Sequence, residues 1–190
     1  MQMIPNEGDT MNTEQENHEQ SKAQKAEGEP LLLGFDFGTS WTTIKSNRGH
    51  KELIRSVVGY PRDIIGVKLL GEPYLVGEAA FDKRSFVDLR SPLRDGVIRE
   101  YVERDLEVAR NFVSHVIESL SPEPDDEVCV IVGVPARATN TNKDLLLQVF
   151  EEVVDEVQVI SEPFLVAYGQ DTLVNNLVID IGAGTIDLCA

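Results

Sequence analysis

The chain has 190 residues, 42% of them hydrophobic, enough to bury one sizeable core. Its 33 acidic and 17 basic side chains give a formal net charge of −16, and so acidic a surface argues against a nucleic-acid groove or an anionic-membrane binder. No apolar run approaches the ~18 residues of a membrane span, and two cysteines with three scattered histidines make neither a disulfide framework nor a metal-ligand spacing, so a soluble intracellular protein with buried, reduced thiols is expected.

Residues 1–29 carry no hydrophobic periodicity and are expected to form a disordered acidic tail. After Pro30, the apolar run Leu31–Leu33 with Phe35 reads as a strand that delivers Asp36. Gly38-Thr39-Ser40 then turns the chain into a second strand, Trp41 to Ser46. Asn47-Arg48-Gly49 leads to a third, His50 to Val58, so the opening is expected to be an antiparallel meander ended by Gly59-Tyr60-Pro61. Between Tyr60 and Leu89 the elements are short: GVKLLG and PYLVG read as strands and GEAAFDK as a helix, together too slight to form a core alone.

Regular structure returns at Ile98. Apolar residues at Ile98, Val102, Leu106, Ala109, Val113 and Leu120 predict an amphipathic helix that stops before Pro122. VCVIVGV, Val128 to Val134, is nearly continuous in apolar residues, the mark of a strand covered on both faces. Thr141 stands where it can cap a helix carrying Leu145, Leu146, Val149, Phe150, Val153 and Val154. A strand from Val157 to Ser161 follows, then a short helix opened by Pro163, then a strand from Leu177. This order implies an α/β fold with a mixed sheet and helices on its faces. The last apolar stretch reaches Ala190 without a later partner strand or covering helix, so the second sheet is expected to be incomplete and the chain cut off.

The pattern that carries chemistry is a repeat. LLLGFDFGTS near the start and LVIDIGAGT near the end each run from an apolar strand into Asp-x-Gly and then small hydroxyl residues. An aspartate at a strand end, beside exposed backbone N–H groups, suits a metal-bound phosphate, and two such units suggest half-sites clamping one phosphate chain. Each residue also has a plainer account. Asp36 can cap a turn, Thr39, Ser40 and Thr185 can be turn hydroxyls, and Glu162 can cap the helix opened by Pro163.

GFDFGTS, SVVGYP, LRSPLRDGVI, VGVPARA, SEPF and VIDIGAGT occur in this order over residues 31–190. With these motifs the chain resembles the bacterial actin-like (MreB/MamK) family of split nucleotide-binding proteins, and within it the magnetosome-filament branch. The resemblance implies an α/β, actin-like (ribonuclease H-like) ATPase fold, present as its first lobe plus only the start of the second. It assigns 30–59 and 90–161 to the first-lobe core and 60–89 to a small outer subdomain. It assigns 162–173 to an interlobe helix and 174–190 to the start of an incomplete second lobe.

The same resemblance implies ATP and Mg²⁺ as cofactors. Asp36 and Asp180 would stand near the metal, while Gly38, Thr39 and Ser40 form the first phosphate loop and Gly182, Gly184 and Thr185 the second. Glu162 would orient the attacking water, completing a catalytic set with Asp36 and Asp180. The implied function is a cytoplasmic filament that organises or positions magnetosomes. Its partners would be further copies of itself or a full-length actin-like homologue, and magnetosome-associated proteins, with neither nucleic acid nor direct membrane insertion. Because the family's adenosine-binding segment would lie beyond Ala190, the chain alone is expected to turn over poorly and not to sustain long filaments. A nonenzymatic module that modulates actin-like filaments is the alternative. A sugar- or acetate-kinase-like transferase is a weaker third, given the short 60–89 insertion.

Overall fold

Alternation along the first strand sets the architecture. In the computed structural model, which describes residues 28–190, strand β1 (Leu31–Phe37) buries Leu31, Leu33, Phe35 and Phe37. Leu32, Gly34 and Asp36 consequently face the other way, as the two-residue period of a strand requires. The expected acidic tail lies outside the described residues apart from its last two.

β2 (Trp41–Ser46) pairs antiparallel with β1, and β3 (Lys51–Arg55) antiparallel with β2, which is the expected meander. The third strand is shorter than expected. Ser56 and Val57 carry the chain out of the sheet, and β4 (Val58–Pro61) begins a separate three-stranded sheet with β5 (Leu75–Val76) and β6 (Val87–Arg90), in the order β5-β4-β6. GVKLLG, expected as a strand, lies instead in helix α1 (Ile64–Leu70). Asp63 caps it by accepting the Gly66 N–H at 2.8 Å, and Gly71 closes it in the left-handed region at φ 70°. Local capping thus overrides the β-branched composition. α2 (Gly77–Asp82) matches the short helix expected there.

The long helix α3 (Glu103–Ser119) starts five residues after Ile98. Tyr101 stands at φ 61°, outside the helical region, and Arg94 and Val97 form a small bridge, so Ile98 is buried from an irregular segment. Asp105 in the first turn pairs with Arg99, fixing the entry to the helix. β7 (Val128–Val134) and β8 (Glu156–Ser161) extend the main sheet in parallel, giving the order β3-β2-β1-β7-β8. Between them, α4 (Asn140–Phe150) is capped by Thr139 rather than Thr141, because Thr139 and Asn142 form a reciprocal capping box. α5 (Glu162–Gly169) leaves β8 directly, and β9 (Val178–Ile181) with β10 (Ile186–Cys189) forms a two-stranded antiparallel sheet. The final strand therefore does have a partner, the one just before it.

Helices α3 and α4 pack on the buried face of the main sheet. Phe35 meets Phe150 edge-on with ring centroids 5.0 Å apart, and Phe37 stacks on Phe112 at 5.4 Å. Among the described residues, the opposite face of β7 is only partly covered, by α5 near the strand's end. Cys129 is half-buried and Ile131 is 42% exposed there. Cys129 and Cys189 are both free thiols, half-buried rather than buried. Among the described residues no helix is long and apolar enough to cross a membrane.

Candidate functional site

The uncovered face of the main sheet forms the floor of a groove of about 950 Å³. Asp36, Gly133, Glu162 and Asp180 line it, along with Leu32 and Ile131. The fold brings three of the sequence-derived acids together from three elements. Asp36 projects from the end of β1, Glu162 opens α5, and Asp180 lies on β9.

Their electrostatics record the convergence. Burial raises the Asp36 carboxyl above its ordinary range, and the negative charge of Asp180 raises it further. Glu162 is pushed up to about 7, first by burial, then by the charges of Asp180, Asp36 and Asp187, and by a hydrogen bond with Asp180. Carboxylates assembled this way repel one another until a cation or a proton joins them.

Asp187 was not singled out by the sequence, yet it belongs to this group. It is 3% exposed, one of its carboxylate oxygens has no hydrogen-bond partner, and it stands directly opposite Asp180 in the β9–β10 register. Like charges at opposed strand positions are unfavourable, and a buried carboxylate oxygen without a donor is costly. The signal was present in GTID: a four-residue turn after Ile181 sets the residue seven beyond Asp180 across from it.

The two glycine loops touch. Gly38-Thr39-Ser40 joins β1 to β2, and the segment from Gly182 to Thr185 joins β9 to β10, closed by a Gly182 N–H to Thr185 carbonyl bond of 2.9 Å. A Cβ on Gly184 would fall 2.6 Å from Thr39 Oγ1, so only glycine allows that approach. Thr39 Oγ1 in turn accepts the Gly96 N–H at 3.0 Å, which ties the first loop to the Asp95-Gly96 turn. Beneath the first loop, Ser56 donates from Oγ to the Gly38 carbonyl at 2.7 Å and lies 2.9 Å from the buried Thr42 hydroxyl. Ser40 contributes its carbonyl, which accepts the Ser56 N–H at 3.0 Å. The Asp95-Gly96 turn and the Thr42–Ser56 pair were not identified from the sequence as parts of the site.

The donor set suits a divalent cation that keeps its water. The described residues contain no group of three or more histidine, cysteine or acidic side chains spaced to grip a metal directly. Instead there are acids that raise one another's proton affinity and a buried carboxylate oxygen left without a partner. Mg²⁺ is usually bound through one or two carboxylates with several waters retained, which fits this arrangement.

Comparison with known proteins gives these features a family. Residues 33–190 match the MreB/Mbl protein family. The chain is 56% identical over 160 residues to the actin-like protein MamK of Paramagnetospirillum magneticum, covering 84% of this chain and 46% of that protein. It is 54% identical over 172 residues to MamK of Magnetospirillum gryphiswaldense, covering 89% and 48%. The chain thus spans about half the length of these curated relatives. Among solved structures it superposes on a MamK double helical filament with a TM-score of 0.82 at 56% identity, covering 85% of this chain and 50% of that one. A non-polymerising MamK mutant bound to AMPPNP gives 0.77 at the same identity and coverage. With the match running from β1 through both glycine loops to the end of the β9–β10 sheet, the chain belongs to the MreB/Mbl family and carries roughly half of its actin-like α/β fold.

Proposed function

We propose that this chain is the phosphate-binding half of an actin-like ATPase subunit that assembles into cytoplasmic filaments and positions magnetosomes. The observation that carries the reading is the meeting of Asp36, Asp180 and Glu162 at one end of the groove, with their charges coupled. The relatives support filament assembly and nucleotide binding: one is a MamK filament, and a MamK mutant was solved with AMPPNP.

In this reading Asp36 and Asp180 would hold a hydrated Mg²⁺. When bound, the metal neutralises charge on the β- and γ-phosphates of ATP. The N–H groups around Gly38 to Ser40 and Gly182 to Thr185 donate to the phosphate oxygens from either side. Glu162, hydrogen-bonded to Asp180, orients a water toward the terminal phosphate and accepts its proton. Its raised proton affinity would fall as the positive charge of a bound cation offsets the negative charge of the neighbouring carboxylates.

A second reading rests on a specific surface. Ile179, Ile181, Ile186 and Leu188 of the β9–β10 sheet are all more than half exposed, which favours a nonenzymatic module that joins or modulates filaments of a longer homologue. Phosphate release in the presence of ATP and Mg²⁺ separates the two. Glu162→Gln should lower turnover by ~10²-fold while nucleotide binding persists. Nucleotide-independent co-sedimentation with a MamK filament and no phosphate release would favour the module.

A further inference from the structure

VGVPARA places a glycine in the middle of the main sheet, beside the site, and the phosphate-binding reading gives it no role. Gly133 sits in β7, paired in parallel with β8 at Ile160 and one residue beyond the Phe35–Val132 pair with β1. It is therefore abreast of Asp36. Glycine in a strand interior gives up packing and is less stable there than alanine, so its presence calls for a local reason. The reason is not backbone conformation, since Gly133 is absent from the glycines with positive φ.

The reason is space. A Cβ at Gly133 would stand 2.9 Å from Glu162 Cγ, closer than packed carbons approach, and 3.8 Å from its Oε1. The next neighbour, Leu165 Cδ1, would be at an ordinary 3.5 Å. Relief by backbone movement is blocked on both sides, because β7 is hydrogen-bonded between β1 and β8. Glu162 has little freedom either. It is the first residue of α5, tethered to β8 on one side and to Pro163 on the other. The contact is with Cγ, next to the Cα–Cβ bond, so relief requires rotation about χ1, and that rotation carries the whole carboxyl away from Asp180.

We propose that Gly133 is the positioning residue of this site: its missing side chain is the seat in which Glu162 lies beside Asp36 and Asp180. The inference rests on the hydrolytic reading above only for its consequence in turnover. The seat itself is a matter of contact.

Two measurements on the same variants test it. In a double-mutant cycle read by thermal denaturation, Gly133→Ala lowers the midpoint in the wild-type background and is neutral or stabilising in the Glu162→Ala background. The two shifts are expected to differ by about 3 °C, as for residues in direct contact in a chain of this size. Equal shifts in both backgrounds overturn the proposal, because a strand that simply needs glycine is indifferent to residue 162. In steady-state ATP hydrolysis, Gly133→Ala is expected to lower kcat ~10-fold, with KM for ATP within about twofold, as for a misplaced catalytic group. Unchanged kcat alongside a large loss in Glu162→Gln also overturns it. If Glu162→Gln keeps wild-type turnover, the hydrolytic role of Glu162 fails, and the thermal cycle alone decides whether Gly133 seats it.

Discussion

The two faces of the five-stranded sheet differ more than any other two regions of the molecule, although the same strands build both. On one face Leu31, Leu33, Phe35 and Phe37 lie under α3 and α4 and are almost wholly inaccessible. On the other, one residue out of step, Leu32, Gly34 and Asp36 border an open groove. The first face makes the fold and the second makes the site. A strand can serve both because its side chains alternate, and shifting its register by one residue would exchange the two roles. The reactive acids are thereby held by backbone whose position is fixed from behind by aromatic packing.

The largest expected effect tests that division of labour. Phe37→Ala removes a ring packed between Phe35 and Phe112 and should cost about 3–5 kcal/mol in urea denaturation. Ile131→Ala on the open face should cost less than ~1 kcal/mol, since that side chain is already 42% exposed. Equal losses would mean that the open face is not open in solution.

A smaller effect follows from the charges on the open face. Glu162 ionises at about 7 in the folded chain against an ordinary 4.5, so the folded state holds its proton more tightly than the unfolded state does. The stabilisation from that proton is complete below about 4.5 and is lost as pH rises through about 7. Asp36, also raised, adds a loss of the same sign. In metal-free buffer the wild-type midpoint should therefore decline across this window, and Glu162→Gln should flatten the decline. A profile with the same slope in the variant would separate Glu162 from the acid cluster.

The smallest effect is expected at Asp187. Asp187→Asn removes one of two like charges directly opposed across β9 and β10, and should raise metal-free stability by about 0.2–1 kcal/mol. A loss of stability would show that the carboxylate has a donor in solution.

The contrast between faces also explains what was legible in the sequence. β1, β2 and the two Asp-x-Gly turns could be read directly, because each combines an alternating or apolar run with a glycine break. The meeting of Asp36, Asp180 and Glu162 was reachable through the repeat and the SEPF motif. Three features were not. VCVIVGV suggested a strand covered twice, but apolar content alone cannot distinguish a buried face from one lining a groove, and Cys129 and Ile131 line the groove. GVKLLG suggested a strand as a short apolar run between glycines, yet the Asp63 cap before it and Gly71 at its end define a helix. Gly133 lies inside VGVPARA, but its contact with Glu162 joins β7 to α5, elements distant in the chain, and no local pattern announces it.

The account turns on the two aspartates acting as one cation-dependent clamp, and ATP binding titrated calorimetrically with and without Mg²⁺ tests this most directly. In the wild-type chain Mg²⁺ should tighten ATP binding, and Asp36→Asn and Asp180→Asn should each remove most of that gain while the thermal midpoint is retained. An undiminished Mg²⁺ gain in both variants would contradict the clamp and leave the acids a structural cluster.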